Sequence, residues 1–420
     1  MFNISKIRIT DFFLNWKSFL VFNILIFVAK IVFSAYNNFQ AEWFEDWSIA
    51  RNLATLEIYS WNYKFGSSAY KLPLYPLFLC FFMKCFGLLN AAKFIIIAQH
   101  IFYFIIPVII IKIFENFNLK TVGFLSAYFF IFSPAYFYYS NVLETTNLFI
   151  LLFAVWLYGY SICWTQAYIS FNKIIIFSVI TALVALTQVV AVPIMGVMAL
   201  FLIFYKKRSL KDIFTVACIA VLAYSPWVIR NYTTFDKVII SKSPFWQNVF
   251  LGYIPDYQIL PDNHFLTQEE KKTVFKKTAA HNEFINEKIY REEVLKIVRK
   301  DSFAPIKKGL NNLISLWFVP KTYFDNNSLS ILIGRKLYVI FINLLLLISM
   351  IYFFRNSKKI FLFCCILFVG FTFPYLIGHA ANIRFKLDFE WIETSVISLF
   401  LFHKYFVSNK KSNTKDKISI

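Results

Sequence analysis

Three acids carry the first chemical signal in this chain. Glu42, Glu45 and Asp46 stand within a few residues of one another in QAEWFEDWSIARNL, just beyond the first apolar run. Carboxylates in that position suit general-base work on a hydroxyl, or the capping of a helix start. Asp46 precedes Ile49, Leu53 and Leu56, whose spacing predicts a helix beginning at the acids. A fourth acid, Glu144 in SNVLETTNLF, stands at another apolar boundary, where a helix cap is the competing reading. Lys71, Arg230 and Arg384 fall at comparable boundaries. They suit phosphate, Arg through a planar fork and Lys as a point charge, or they snorkel to lipid head groups. Lys30 lies inside the first apolar run, where snorkelling competes with a buried site. The five His have no metal-ligand spacing, and no phosphate-binding glycine loop or dinucleotide fingerprint occurs.

The elements that must position these residues are membrane helices. Apolar residues make up 59% of the chain and charged residues only 16%, against about 25% charge in soluble domains. With many runs near the length of a span, this composition excludes a soluble enzyme, a disordered chain and a disulfide scaffold. The six cysteines lie in apolar stretches without a C-x-x-C. The net charge of +20 does not signal nucleic acid, because most Lys and Arg flank apolar runs.

The runs are Phe19–Tyr36, Leu72–Leu89, Phe94–Ile113, Val122–Tyr139, Asn147–Trp164, Ile174–Tyr205, Ile213–Ile229, Leu337–Phe354, Ile360–Ile377 and Trp391–Phe406. Ile174–Tyr205 is too long for one span and is broken by Thr187, Gln188 and Pro193, which predicts a hairpin of two short helices. Leu72–Leu89 carries Pro73, Pro76, Lys84 and Gly87 and reads as interfacial. With these assignments the clusters at Lys206–Lys211, Arg355–Lys359 and the Lys-rich tail share one side with Lys6, Arg8 and Lys17. The expected fold is therefore an all-α polytopic bundle of about ten transmembrane helices, both termini cytoplasmic, the acids outside. Three regions follow: a transmembrane catalytic module at 1–229 with its first outer loop at 37–93, a large outer loop at 230–332, and C-terminal helices with a basic tail at 333–420. Within the large loop, Thr267–Arg299 reads as an amphipathic helix lying on the outer leaflet.

FEDWSIARNLATLEIYS followed by SSAYKLPLYPLFLCFFMKCFG resembles the first outer loop of GT-C membrane glycosyltransferases, most nearly the bacterial PMT-type group (family 39-like). That group includes protein O-mannosyltransferases and the aminoarabinose transferase of lipid A. FSPAYFYYSNVLETTNLF, YSPWVIRNY and IRFKLDFEW, a truncated form of a proline-bearing segment, add to the likeness in order along the chain. The resemblance implies a GT-C-like fold with juxtamembrane helices in the first outer loop. It also implies a polyprenyl-phosphate sugar donor and a lipid, glycan or protein acceptor in cell-envelope glycoconjugate synthesis at a bacterial inner membrane. On this reading Glu45 and Asp46 serve as base or acceptor-orienting acids. Glu144 is the second acid, and Glu42 is an additional candidate. Lys71, Arg230 and Arg384 would contact the donor phosphate. The sequence leaves the sugar, the acceptor and the metal requirement open, a divalent cation being compatible with the acids. Two other classes stay open: a transporter or flippase for a lipid-linked glycan, and a glycan polymerase or ligase. A transporter predicts paired ionisable residues deep in the spans, where the sequence shows only Lys30.

The topology makes a direct prediction. Single cysteines placed near Ser60, Asn141, Asp262 and His379 should label from the outer face, and ones at Lys207, Ser357 or Ser412 should not. Outer-face labelling at Ser357 would reverse the second half of the arrangement.

Overall fold

The apolar runs become helices because their backbone polar groups have no water to bond and must pair within the segment. A computed structural model describes residues 12–206, 208–318, 329–378 and 383–407. In chain order the helices are α1 Trp16–Tyr36, α2 Glu45–Leu56, α3 Leu74–Asn116, α4 Lys120–Ile131, α5 Pro134–Tyr139, α6 Thr145–Thr165, α7 Phe171–Ala185 and α8 Ala191–Lys206. There follow α9 Leu210–Phe235, α10 Phe245–Leu251, α11 Gln268–Ala279, α12 Glu283–Lys300, α13 Ala304–Phe318, α14 Leu329–Asn356, α15 Lys358–Ile377 and α16 Ile383–Phe402. Among the described residues there are no strands, only a parallel bridge between Trp43 and Leu143 that ties the two acidic loops together. Six helices among them are long and apolar enough to cross a membrane: α1, α3, α6, α9, α14 and α15. The chain is an all-α polytopic membrane protein. Residues such as Val21, Leu25 and Val32 of α1 and Phe341, Leu344 and Leu347 of α14 are exposed, as expected of lipid-facing surfaces.

Several expectations change in detail. Ile174–Tyr205 is two short helices, α7 and α8, separated around Thr187 and Gln188. Val122–Tyr139 is not one helix, because Pro134 starts α5 after a break at Phe132 and Ser133. The expected boundary at 229–230 falls inside α9, and the one at 332–333 inside α14. The helix expected from Trp391 begins earlier, at Ile383, so Arg384 stands in a first helical turn rather than a loop. The basic N-terminus (Lys6, Arg8), Lys207, His379 and the tail lie outside the described residues.

The region Thr267–Arg299 also differs. It is two helices, α11 and α12, and its apolar side meets protein. Val274, Val294 and Ile297 are buried against Phe250, Tyr253 and Tyr290 in a small core of the segment between α9 and α14. A folded partner in α10 buries this apolar stripe, so the stripe is not free to lie on a leaflet.

Leu72–Leu89 supplies the first limb of α3, which breaks at Gly87 (φ 74°, ψ 160°). Tyr75 donates to Gln99 at 2.8 Å, Phe78 packs on Phe102, and Phe86 stacks on Phe94 with centroids 3.9 Å apart. The two limbs therefore fold back on one another, and the first is too short to cross ~30 Å of hydrocarbon. A conformation at that φ and ψ is essentially restricted to glycine. A Cβ at Gly87 would meet nothing within 4 Å, so the cost of a substitution there is in the backbone. Gly87→Val should destabilise the folded protein by ~1–3 kcal/mol in a detergent unfolding assay. Unchanged unfolding would show that the hairpin does not depend on this residue.

Candidate functional site

Glu45 and Asp46 occupy the first turn of α2, where unpaired backbone N–H groups favour negative charge. Lys71, on the strap leading into α3, reaches both: its Nζ lies 3.3 Å from Glu45 Oε2 and 3.5 Å from Asp46 Oδ2. Asp46 is 1% exposed and Glu45 36%, so one acid is enclosed and the other half-buried. Thr145 Oγ1, at the start of α6, donates to Asp46 Oδ1 at 3.4 Å. Lys71 holds the Glu45 carboxyl down to about 2, against the opposing effect of burial. Burial alone would lower Lys71, but Asp46 and Glu45 outweigh it and hold the ammonium above its usual range.

Glu144 is the N-cap residue of α6, yet its side chain makes no capping bond. Fully buried, it accepts from the guanidinium of Arg384 and from the Tyr139 hydroxyl. Arg384 also bears on Glu45, whose carboxyl it helps to lower. Glu42 is turned toward Tyr138 and Glu144; burial first, then Glu144, raises its carboxyl, and a Tyr138 hydrogen bond opposes this. Glu45, Asp46, Lys71, Glu144 and Arg384 thus come together from α2, the α3 strap, α6 and α16.

Arg230 is placed differently. Its Nη1 donates to the Ser68 carbonyl at 2.8 Å and to Asn231 Oδ1 at 2.9 Å, and its guanidinium packs near the rings of Tyr59, Trp227 and Phe235. The side chain clamps the first-loop turn that leads to Lys71.

Residues the sequence reading passed over complete the site. Lys242 lies on the strap after α9. Its side chain is exposed, yet desolvation of the ammonium, then the nearby Lys71 and Arg384, pulls it down to about 8. Glu283, at the start of α12, accepts from Ser68 Oγ at 2.6 Å and from the Ala69 N–H at 2.7 Å, fixing the same turn that Arg230 clamps. Neither had a distinguishing signal: Lys242 is a lone cation in ISKSPFW, and Glu283 one acid among many on a charged helix.

The turn that carries Glu144 is itself pinned from below. Lys30 is 4% exposed and donates to the Tyr136 carbonyl at 2.7 Å and Ser140 Oγ at 2.9 Å, so it does not snorkel. Gln99 donates to the carbonyls of Ser140 and Val142, both at 3.0 Å. Leu143 N–H donates to the Glu42 carbonyl at 2.8 Å, joining this turn to the first loop. Among the described residues no three His, Cys, Asp or Glu side chains gather as metal ligands.

No known family profile matches the chain, and no curated protein matches it. Among solved structures, the chain is similar to the crystal structure of ArnT from Cupriavidus metallidurans bound to undecaprenyl phosphate. The sequence identity is 9% and the TM-score 0.38, over 92% of this chain and 76% of that one.

Removing the shared cation should free the half-buried acid. In Lys71→Met, the Glu45 carboxyl should titrate well above about 2, followed as its infrared carboxylate band with Glu45→Gln as the subtraction control. An unmoved titration would mean that Lys71 does not hold Glu45.

Proposed function

We propose that this chain is an integral-membrane glycosyltransferase that moves a sugar from a polyprenyl-phosphate donor to a hydroxyl-bearing acceptor at the outer face. The observation that carries the reading is the shared grip of Lys71 on Glu45 and Asp46, with Arg384 and Lys242 beside it. Acids and cations gathered next to membrane helices supply the two needs of this reaction. A carboxylate takes the proton of the acceptor hydroxyl, and cations offset charge on the departing phosphate.

The two acids divide the work by exposure. Glu45, the more exposed of the two, is the acid an acceptor reaches; Asp46, enclosed, keeps Lys71 in position. Without donor, Lys71 holds Glu45 too strongly acidic to be an effective base. A donor phosphate competes for Lys71 and Arg384, and Glu45 regains basicity as its cation is drawn away. The acceptor oxygen then bonds the anomeric carbon, the carbon–phosphate oxygen bond breaks, the proton passes to Glu45, and the lipid phosphate leaves with the bond electrons.

One observation favours the transporter reading. Paired charges do lie inside the bundle: Lys386 with Glu393, and Arg335 with Glu390, whose two bonds are 3.1 and 2.7 Å. Glu393 is about 14 Å along α16 from Arg384, at ~1.5 Å per residue. The pairs thus extend inward from the site, and flux of a lipid-linked glycan without sugar transfer would favour this second reading.

Glu45→Gln should reduce transfer by ~10²–10⁴-fold while donor binding persists. Donor binding should weaken as pH rises through about 8, where Lys242 loses its charge, and Lys242→Met should flatten that limb. Near-normal transfer by Glu45→Gln would remove the proposed base.

A further inference from the structure

A cavity of about 700 Å³ opens beside the acids, between the first-loop turn and the junction where α11 ends and α12 begins. Its volume is in the range of small-molecule sites. Tyr70, the residue before Lys71, lines it, so the cavity adjoins the carboxylates along the chain itself. Trp61 and Tyr70 form a near-parallel stack in the wall, centroids 5.1 Å apart and planes at 17°. Trp61 is 45% exposed, which leaves indole surface open for a second flat partner.

The rest of the lining mixes further aromatic rings, Phe65, Phe235 and Phe284, with amide and imidazole groups, Asn62, Gln247 and His281. Side-chain amides both donate and accept. Two buried wall atoms, Ser60 Oγ and Asn286 Oδ1, have no hydrogen-bond partner in the protein. Among the described residues no Lys or Arg lines the cavity, and its carboxylate, Glu283, is already engaged by Ser68 and Ala69. That lining disfavours an anionic head group. An acyl chain would better suit a second cavity of about 390 Å³, whose walls are almost wholly aliphatic and aromatic, such as Ile110, Leu157, Phe363 and Leu399.

A sugar ring has an apolar C–H face and a rim of hydroxyls, which matches an open indole among aromatic rings and amides. We propose that this cavity binds a neutral carbohydrate chain, with one ring on Trp61, and that the bound chain is the acceptor. The acceptor role rests on the glycosyltransferase reading; carbohydrate binding does not.

The test is saturation-transfer difference NMR on the full chain in a sugar-free detergent. The probes are neutral trisaccharides of glucose, mannose, galactose and N-acetylglucosamine, neutral oligosaccharides released from the envelope of the cells that make the protein, and a Ser/Thr-rich peptide as contrast. Saccharide signals should be seen with the wild type and with Glu45→Gln. They should fall at least several-fold in Trp61→Ala and return in Trp61→Phe, which controls for folding. Absence of any saccharide signal, insensitivity to Trp61→Ala, or binding of the peptide alone would overturn the proposal. Saccharide binding without sugar transfer would leave this site standing and defeat the transferase reading; transfer without saccharide binding would do the reverse.

Discussion

A carboxylate with no exposed surface holds the guanidinium of Arg384 across 240 residues of chain, and the arrangement of the candidate site depends on that pair. An unpaired buried charge costs several kcal/mol, so Glu144 and Arg384 constrain each other strongly once the helices pack. The pair fixes α16 against the start of α6. The turn before α6 is fixed in turn by Lys30 and Gln99 below it and by the Glu42 carbonyl beside it. The acids of the first loop and the cation of α16 then share one small space.

Around that pair the site is a balance of charges with unequal access. Lys71 is divided between an enclosed acid and a half-buried one. Arg230 and Glu283 act at one remove, gripping the Ser68–Ala69 turn from two directions. Their grip sets where Lys71 and Tyr70 stand, and links the acid site to the cavity next to it.

The sequence made the membrane character legible because hydrocarbon imposes one local solution on the backbone. Apolar length and flanking charge were enough for the run pattern and for the hairpin at Thr187. Pro134 was visible in the sequence, but its splitting of one run into α4 and α5 is a backbone effect that composition understates. Glu45 and Asp46 could be singled out as part of an acidic cluster, and Glu144, Lys71 and Arg384 as single charges, at apolar boundaries. The same rule picked Arg230, which the fold uses to hold a turn, and passed over Lys242, which looks like any loop lysine. Burial decided the rest. The apolar side of α12 resembles a leaflet-binding stripe until α10 covers it. The pairing of Lys386 with Glu393 spans two turns of a helix that apolar length alone starts too late.

The central claim is that the acids and cations serve a donor presented on a lipid phosphate. The direct measurement is sugar transfer by purified protein in a bilayer, supplied separately with a polyprenyl-phosphate sugar and with the corresponding nucleotide sugar. Turnover with the lipid-linked sugar, and none with the nucleotide sugar, is the predicted result. Turnover with the nucleotide sugar alone, in the absence of lipid carrier, would contradict it.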